Sequence, residues 1–276
     1  SIGWVTSNEG FWQRNQIINF LKVRGGYGVV GNDNLGDFRF LSTIGSGRNY
    51  TFGNGDASVN GYSPDAPANP DLRWEQTSQL NIGFESTLFN DFTLNADWYR
   101  KETTDILRTK PIPRYTGVIG NPYANIGDME NMGVEIELGY RKSLGDVNLN
   151  VSANASYVEN KVTNLGDVEF YNTTSVQNMG AMARMAVGQP INSFFGYERL
   201  GIFQTQSEID AYVSDEGGII QPDAQPGDFK WADRDGSGDI DPEDRTFLGS
   251  PIPDWTYGVN IKLDYKGFDL LVFGQG

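Results

Sequence analysis

Apolar and polar residues alternate with a period of two along much of this 276-residue chain. In "QLNIGFESTL", Leu80, Ile82, Phe84 and Leu88 fall on one face and Gln79, Asn81, Glu85 and Thr87 on the other. "FTLNADWY" repeats the pattern, with Phe92, Leu94, Ala96 and Trp98 against Thr93, Asn95 and Asp97. "GVEIELGYR" sets Val134, Ile136, Leu138 and Tyr140 against Glu135, Glu137 and Arg141, and "VNLNVSANASY" alternates likewise from Val147 to Tyr157. Near the end, "WTYGVNIKLDY" opposes Trp255, Tyr257, Val259, Ile261, Leu263 and Tyr265 to Thr256, Asn260, Lys262 and Asp264. Phe268, Leu270 and Val272 follow a Lys266-Gly267 turn. Successive strand side chains point to opposite faces, so this text predicts β-strands with one greasy face. Short turns around Asn90-Asp91, Gly145 and Lys266-Gly267 predict antiparallel hairpins.

Two features extend the reading. The strands outrun the usual length of about 5–6 residues and match the roughly 9–11 that cross a bilayer. Trp98, Tyr140, Tyr157, Trp255 and Tyr265 close the ends of the apolar stripes, as aromatic girdles do at membrane interfaces. The expected fold is all-β, a fragment of a large antiparallel transmembrane β-barrel with about eight spanning strands, short periplasmic turns and long external loops. Those loops fall at 31–74, 108–128 and 163–252. Parity of crossing assigns "INSFFGYERLGIF" (191–203) to the third loop and makes "FRFLSTIGSGRNYTF" (38–52) a hairpin inside the first. A soluble antiparallel sheet with one wet face produces the same alternation, so that alternative stays open.

Composition narrows the chemistry. The chain has 34 Gly and 13% aromatic residues but no Cys and no His. Disulfides, thiol nucleophiles, Ser-His-Asp relays and the usual zinc ligands are thereby excluded. A formal net charge of −15 argues against nucleic acid, whose phosphates demand clustered Lys and Arg. No apolar run approaches the roughly 20 residues of a membrane helix, and no leader peptide is visible at Ser1. The chain begins and stops in strand-like text, which suggests a piece of something longer.

One stretch carries metal-ligand spacing. "DRDGSGDIDPED" (233–244) has Asp at loop positions 1, 3, 7, 9 and 12, Ser at 5 and Gly at 6. Calcium loops place oxygen donors at positions 1, 3, 5, 7, 9 and 12, with Gly at 6 for the sharp turn. Asp233, Asp235, Ser237, Asp239 (through its carbonyl), Asp241 and Asp244 suit those roles. The flanks "QPDAQPGDFK" and "FLGSPIPDW" carry two prolines each, so no helix pair frames the loop and it is neither an EF-hand nor a sensor. A structural calcium, pinning a long loop beside the strand that starts near Trp255, is one reading. A solvated acidic turn without an ion is the other.

Other constellations read more plainly. Glu135 and Glu137 share a face at a spacing that could flank a glycosidic bond, though a polar lumen lining explains them as well. "GSGRNY" (45–50) lacks the ending of a phosphate loop and reads as a turn. Arg114, Tyr115, Tyr123, Phe194, Phe195 and Tyr197 lie in the loops, where stacking on sugars, covering a protrusion and contacting a partner are all open uses.

Five ordered segments add a family resemblance: "LKVRGGYGVVGN" (21–32), "NPDLRWEQTSQLNIGFE" (69–85), "NIGDMENMGVEIEL" (125–138), "PGDFKWADRDGSGDIDPEDR" (226–245) and "LGSPIPDWTYGVNIKLDYKGFDL" (248–270). In this order and spacing the chain resembles the SusC/RagA-type TonB-dependent nutrient receptors of the bacterial outer membrane. The resemblance implies the C-terminal part of a 22-stranded barrel, with a plug domain and TonB box outside this chain. It implies a SusD-like surface lipoprotein as partner, glycan or peptide oligomers as cargo, a lipid bilayer around the wall, and energy delivered through TonB. It implies transport, not an enzyme. The competing classes are a secreted, calcium-stabilised β-rich binding or adhesion module and a soluble β-rich glycan hydrolase.

Overall fold

A computed structural model of the chain describes residues 1–13, 16–32, 36–53, 57–118, 120–176 and 180–276. Parts of the predicted loops 31–74, 108–128 and 163–252 and the side chain of Arg114 lie outside that set. The chain divides into two compact units, residues 1–167 with 254–276, and residues 168–253.

The first unit is one sheet of eight strands: β1 (Ile2–Trp4), β2 (Ile18–Asn32), β3 (Glu75–Leu88), β4 (Phe92–Thr104), β5 (Asp128–Leu144), β6 (Val147–Asn164), β7 (Trp255–Tyr265) and β8 (Phe268–Gln275). They pair in chain order, each antiparallel to the last. β5 and β6 span 17 and 18 residues, about three times the usual strand. Three short turns build hairpins: Phe89 to Asp91, Gly145-Asp146 and Lys266-Gly267. At the last, Lys266 (φ 46°) and Gly267 (φ 87°) both adopt the left-handed conformation of a type I′ turn, whose twist matches that of the strands it joins.

Register fixes which side chains share a row. Ile82, Trp98, Val134, Tyr157 and Trp255 align across five strands. Toward the tight turns lie the rows Phe84, Ala96, Ile136, Ala155 and Tyr257, then Leu94, Leu138, Ala153 and Val259. A final row holds Leu144, Val147, Tyr265 and Phe268. Among the described residues of this unit no second layer covers this face: Ile82 and Leu138 are each 51% exposed and Leu270 is 58% exposed. The two-layer core of a soluble sandwich, which would bury those residues, is not built by the described residues of this unit. The buried apolar residues of this unit, Ile126, Val162 and Leu165, gather instead where β5 begins and β6 ends.

The long stretches between β2 and β3, β4 and β5, and β6 and β7 hold short strands of their own. The expected hairpin within Phe38–Phe52 does not form. Ile44–Ser46 pairs forward with Tyr62–Pro64, and Tyr50–Thr51 with Ser58–Val59. Arg48 supplies a reason, since it donates to Ser46 O and Ser63 Oγ and pairs with Asp65 at 3.5 Å, tying the two segments together.

The second unit has its own core of Ala183, Met185, Phe195, Phe203, Ile209, Ile220 and Ala232. Its sheet orders Phe170–Val176, Gly180–Ala186, Ser193–Tyr197 and Arg245–Gly249. Arg199–Ile202 pairs separately with Phe229–Trp231. A short helix, Gln206–Asp210, is capped by Thr205, which accepts from Glu208 N–H, and buries Ile209. Thus "INSFFGYERLGIF" contributes to two sheets of this unit and none of the large one.

Candidate functional site

The polar face of the large sheet is the first candidate. Lys22 and Arg24 on β2 face Glu85 on β3, with Lys22 Nζ and Arg24 Nη1 at 3.2 and 2.5 Å from Glu85 Oε1. Arg24 also forks onto Asp97 of β4, its Nε donating to Oδ1 at 3.0 Å and its Nη2 to Oδ2 at 2.5 Å. Arg24 and Asp97 are not adjacent. Gly83 of β3 stands between them, paired with both. Strands lie about 4.8 Å apart, so the pair reaches over roughly 9.6 Å of sheet, and only a residue without a side chain leaves that path open. A Cβ on Gly83 would sit 2.0 Å from Asp97 Oδ1.

The device recurs along the same face. A Cβ on Gly133 would lie 2.6 Å from Tyr99 Oη, one on Gly139 2.4 Å from Thr93 Oγ1, and one on Gly258 2.7 Å from Asn154 Oδ1. In each case a polar side chain leans over a glycine on the neighbouring strand. Glu137 accepts from Asn95 Nδ2 at 3.2 Å, and Ser156 and Thr256 share a hydrogen bond of 2.7 Å. Two open hollows lie on this face, of 650 and 1030 Å³, and both are lined by Arg24, Asp97 and Glu135. The face is polar, charged and hydrogen-bonded from β2 to β7, while the opposite face is apolar and exposed. Glu135 and Glu137 stand as lining within it.

The acidic loop is the second candidate and belongs to the second unit. Asp233, Asp235 and Asp244 bring carboxylate oxygens within 4.8 Å of one another. Ser237 Oγ donates to Asp239 O at 3.2 Å, and Asp241 Oδ1 turns away to accept from Glu243 N–H at 2.9 Å, capping the single turn Pro242–Asp244. Asp244 is the pivot, with 0% exposure. Its Oδ1 accepts from Arg234 N–H at 2.6 Å and its Oδ2 from Asp241 N–H at 2.9 Å. Burial pushes its pKa up, but hydrogen bonds from the backbone of Asp241, Arg234 and Asp235 outweigh burial and hold it below the ordinary carboxylate value. Asp233 accepts from Gly236 and Gly238 N–H. Gly236 (φ 75°) and Gly238 (φ 90°) take the left-handed backbone that this winding needs. Asp233, Asp235 and Asp244 present the hard oxygen donors that calcium prefers.

The aromatic and basic loop residues separate. Tyr115 is exposed, whereas Tyr123 takes the guanidinium of Arg39 at 5.4 Å. Phe195 is buried in the second unit's core, and Tyr197 packs on Trp231 at 6.0 Å. The polar bridges across glycine leave no mark in the sequence, because they depend on which residues face each other across strands.

Comparison with known proteins agrees with this geometry. Residues 11–274 match a family described as TonB dependent receptor-like, beta-barrel. TonB-dependent receptor P3 of Formosa agariphila is 33% identical over 280 residues, covering 100% of this chain and 27% of that protein. TonB-dependent receptor SusC of Bacteroides thetaiotaomicron is 29% identical, covering 98% of this chain and 26% of the relative. The chain therefore spans about a quarter of the length of these relatives. Among solved structures, the RagAB peptide importer in its open-open state superposes with a TM-score of 0.74 at 26% identity, covering 98% of this chain and 27% of that one. Its closed-closed state gives 0.73 at 25%, covering 99% and 28%.

Proposed function

The chain belongs to the TonB-dependent receptor β-barrel family of the outer membrane and is of its SusC/RagA type; from that premise we propose that it forms wall and loops of a receptor importing oligomeric nutrients, glycan or peptide. In this reading a SusD-like surface lipoprotein hands the cargo over, and TonB, acting through parts of the receptor outside this chain, drives its release inward. One observation carries the proposal: a continuous sheet with a bare apolar face on one side and an ion-paired, hydrogen-bonded face on the other. Lipid suits the first face and a water-filled passage the second, which is how a barrel divides its strands. The name of the RagAB peptide importer supports a peptide, and that of SusC leaves the cargo open. The test is to purify the receptor from its own outer membrane and identify what accompanies it by mass spectrometry. A co-purifying surface lipoprotein with bound oligopeptides or oligosaccharides is expected. A receptor that emerges alone and binds neither class of oligomer refutes the reading.

We also propose that the loop 233–244 holds a structural calcium ion through Asp233, Asp235 and Asp244, with the Asp239 carbonyl and Ser237 as further oxygen donors. The convergence of three carboxylates supports it. Calorimetry on the intact receptor should register one calcium site that Asp233→Ala with Asp235→Ala removes. No heat of binding at millimolar calcium would leave the loop an ion-free acidic turn.

A further inference from the structure

The sheet of the 168–253 unit holds a half-buried arginine that has no carboxylate partner among the described residues. Arg184 stands on the strand Gly180–Ala186, opposite Asn172 on one neighbouring strand and Ser193 on the other. Its guanidinium lies between two rings, 3.8 Å from the centroid of Phe170 and 3.5 Å from that of Phe195. Its Nε donates to Asn172 Oδ1 at 3.3 Å. Among the described residues, no carboxylate pairs with it and no acceptor meets either Nη group. The hairpin residues whose side chains are not described, Ser175, Val176, Gln177, Asn178 and Met179, include no acid.

A second cation sharpens the point. Arg245 lies 5.0 Å from the centroid of the same Phe195 ring. Its Nη2 donates to the carbonyls of Ala181 and Phe195, where it ties two strands together. That role uses Arg245 and leaves its charge standing beside Arg184. Burial, and then repulsion from Arg245, hold the Arg184 pKa below its usual value. A chain of net charge −15 thus places two cations around one ring, neither of them paired with a carboxylate among the described residues.

Packing alone would explain the two rings. Stacking, however, satisfies only the faces of a guanidinium and leaves its in-plane Nη–H groups seeking acceptors. The rings also hold the plane still, so little side-chain freedom remains to be lost on binding. A planar fork with free edge donors matches a carboxylate, which accepts two parallel N–H bonds.

We propose that Arg184 is a binding site for a carboxylate, taken edge-on by its Nη groups between Phe170 and Phe195. The ligand class is a carboxylate-bearing oligomer, such as an acidic peptide or a uronate-containing glycan. That the ligand is cargo rests on the import reading above; that Arg184 binds a carboxylate does not.

The probe is 4-bromobenzoate, soaked into crystals of the intact receptor and located by bromine anomalous scattering. A peak beside the Arg184 Nη atoms is expected, absent with the neutral isostere 4-bromobenzamide and absent in Arg184→Gln. In solution, Arg184→Gln should weaken 4-bromobenzoate binding about tenfold or more, the worth of one charged hydrogen-bonded contact. Arg184→Lys keeps the charge without the fork and should bind more weakly than wild type. It decides the matter if Arg184→Gln disturbs the sheet. No peak at a saturating soak, an equal peak with the amide, or a peak surviving in Arg184→Gln overturns the proposal. Carboxylate binding without any import of acidic oligomers would remove the cargo role and keep the site.

Discussion

Leu138 and Glu137 are neighbours at nearly the same depth on β5, pointing to opposite faces, and arginine at each gives opposite expectations. Leu138 lies four residues from Val134, which shares its row with Trp98, Tyr157 and Trp255. It lies six residues from Leu144, whose row ends in Tyr265 and Phe268. At about 3.4 Å per residue these are roughly 14 and 20 Å along the strand. A tilt near 40° converts them to depths of about 10 and 15 Å, which sum to the roughly 25 Å apolar band of an outer-membrane barrel. Leu138 therefore sits close to the middle, where arginine on the lipid face costs about 2–4 kcal/mol. Because Leu138 is 51% exposed in the chain itself, the same change in water would stay within about 0.5 kcal/mol. Glu137→Arg, on the wet face, loses the hydrogen bond from Asn95 Nδ2 and should cost no more than about 1.5 kcal/mol. The assay is urea unfolding of the intact receptor in lipid vesicles, read by tryptophan fluorescence and by heat-dependent migration on gels. Leu138→Arg should shift the midpoint well beyond Glu137→Arg. Equal shifts, or a Leu138→Arg effect within about 0.5 kcal/mol, would show that this face does not meet lipid.

Three further outcomes follow from particular contacts. Gly83→Ala drives a Cβ into Asp97 Oδ1 and should uncouple Arg24 from Asp97, so that Arg24→Ala costs less in its presence than alone; additive costs in a double-mutant cycle would count against the bridge. Asp244→Ala strands the backbone N–H groups of Arg234 and Asp241, at about 1–3 kcal/mol for each donor left unpaired. Hydrogen exchange should accelerate across 233–241 while β5 and β6 stay protected, and unchanged exchange would contradict the pivot role. Gly267→Ala forces a Cβ onto a φ of 87° and should lower stability by about 1 kcal/mol, measurable in the same unfolding assay as a shift absent from Gly274→Ala.

The parts of the fold that were readable from residues are those set by local rules. Period-two alternation places Leu80, Ile82 and Phe84 on one face wherever β3 pairs, and the turn chemistry of Lys266-Gly267 fixes the last hairpin without outside help. What was hidden depends on residues distant in the chain. Ile44–Ser46 pairs with Tyr62–Pro64 because Arg48 and Asp65 meet, and nothing within 38–52 announces that partner. The acidic loop was half legible: spacing names Asp233, Asp235 and Asp244, yet the turning of Asp241 to cap Glu243 follows from Pro242 opening a helical turn. Arg184 carried no local signal at all, since Phe170 and Phe195 reach it from two other strands.

The glycine-spanning contacts have a bearing on how such a long sheet finds its alignment. A strand that slips by one position turns its oily side inward and is rejected at once. Slippage by two preserves the sidedness and would pass unnoticed on sidedness alone. It would, however, carry Asp97 away from the gap at Gly83 and strand Arg24, and set Tyr99 against a bulky neighbour instead of Gly133. The polar bridges thus act as a vernier, distinguishing among even offsets that greasy alternation treats as equal.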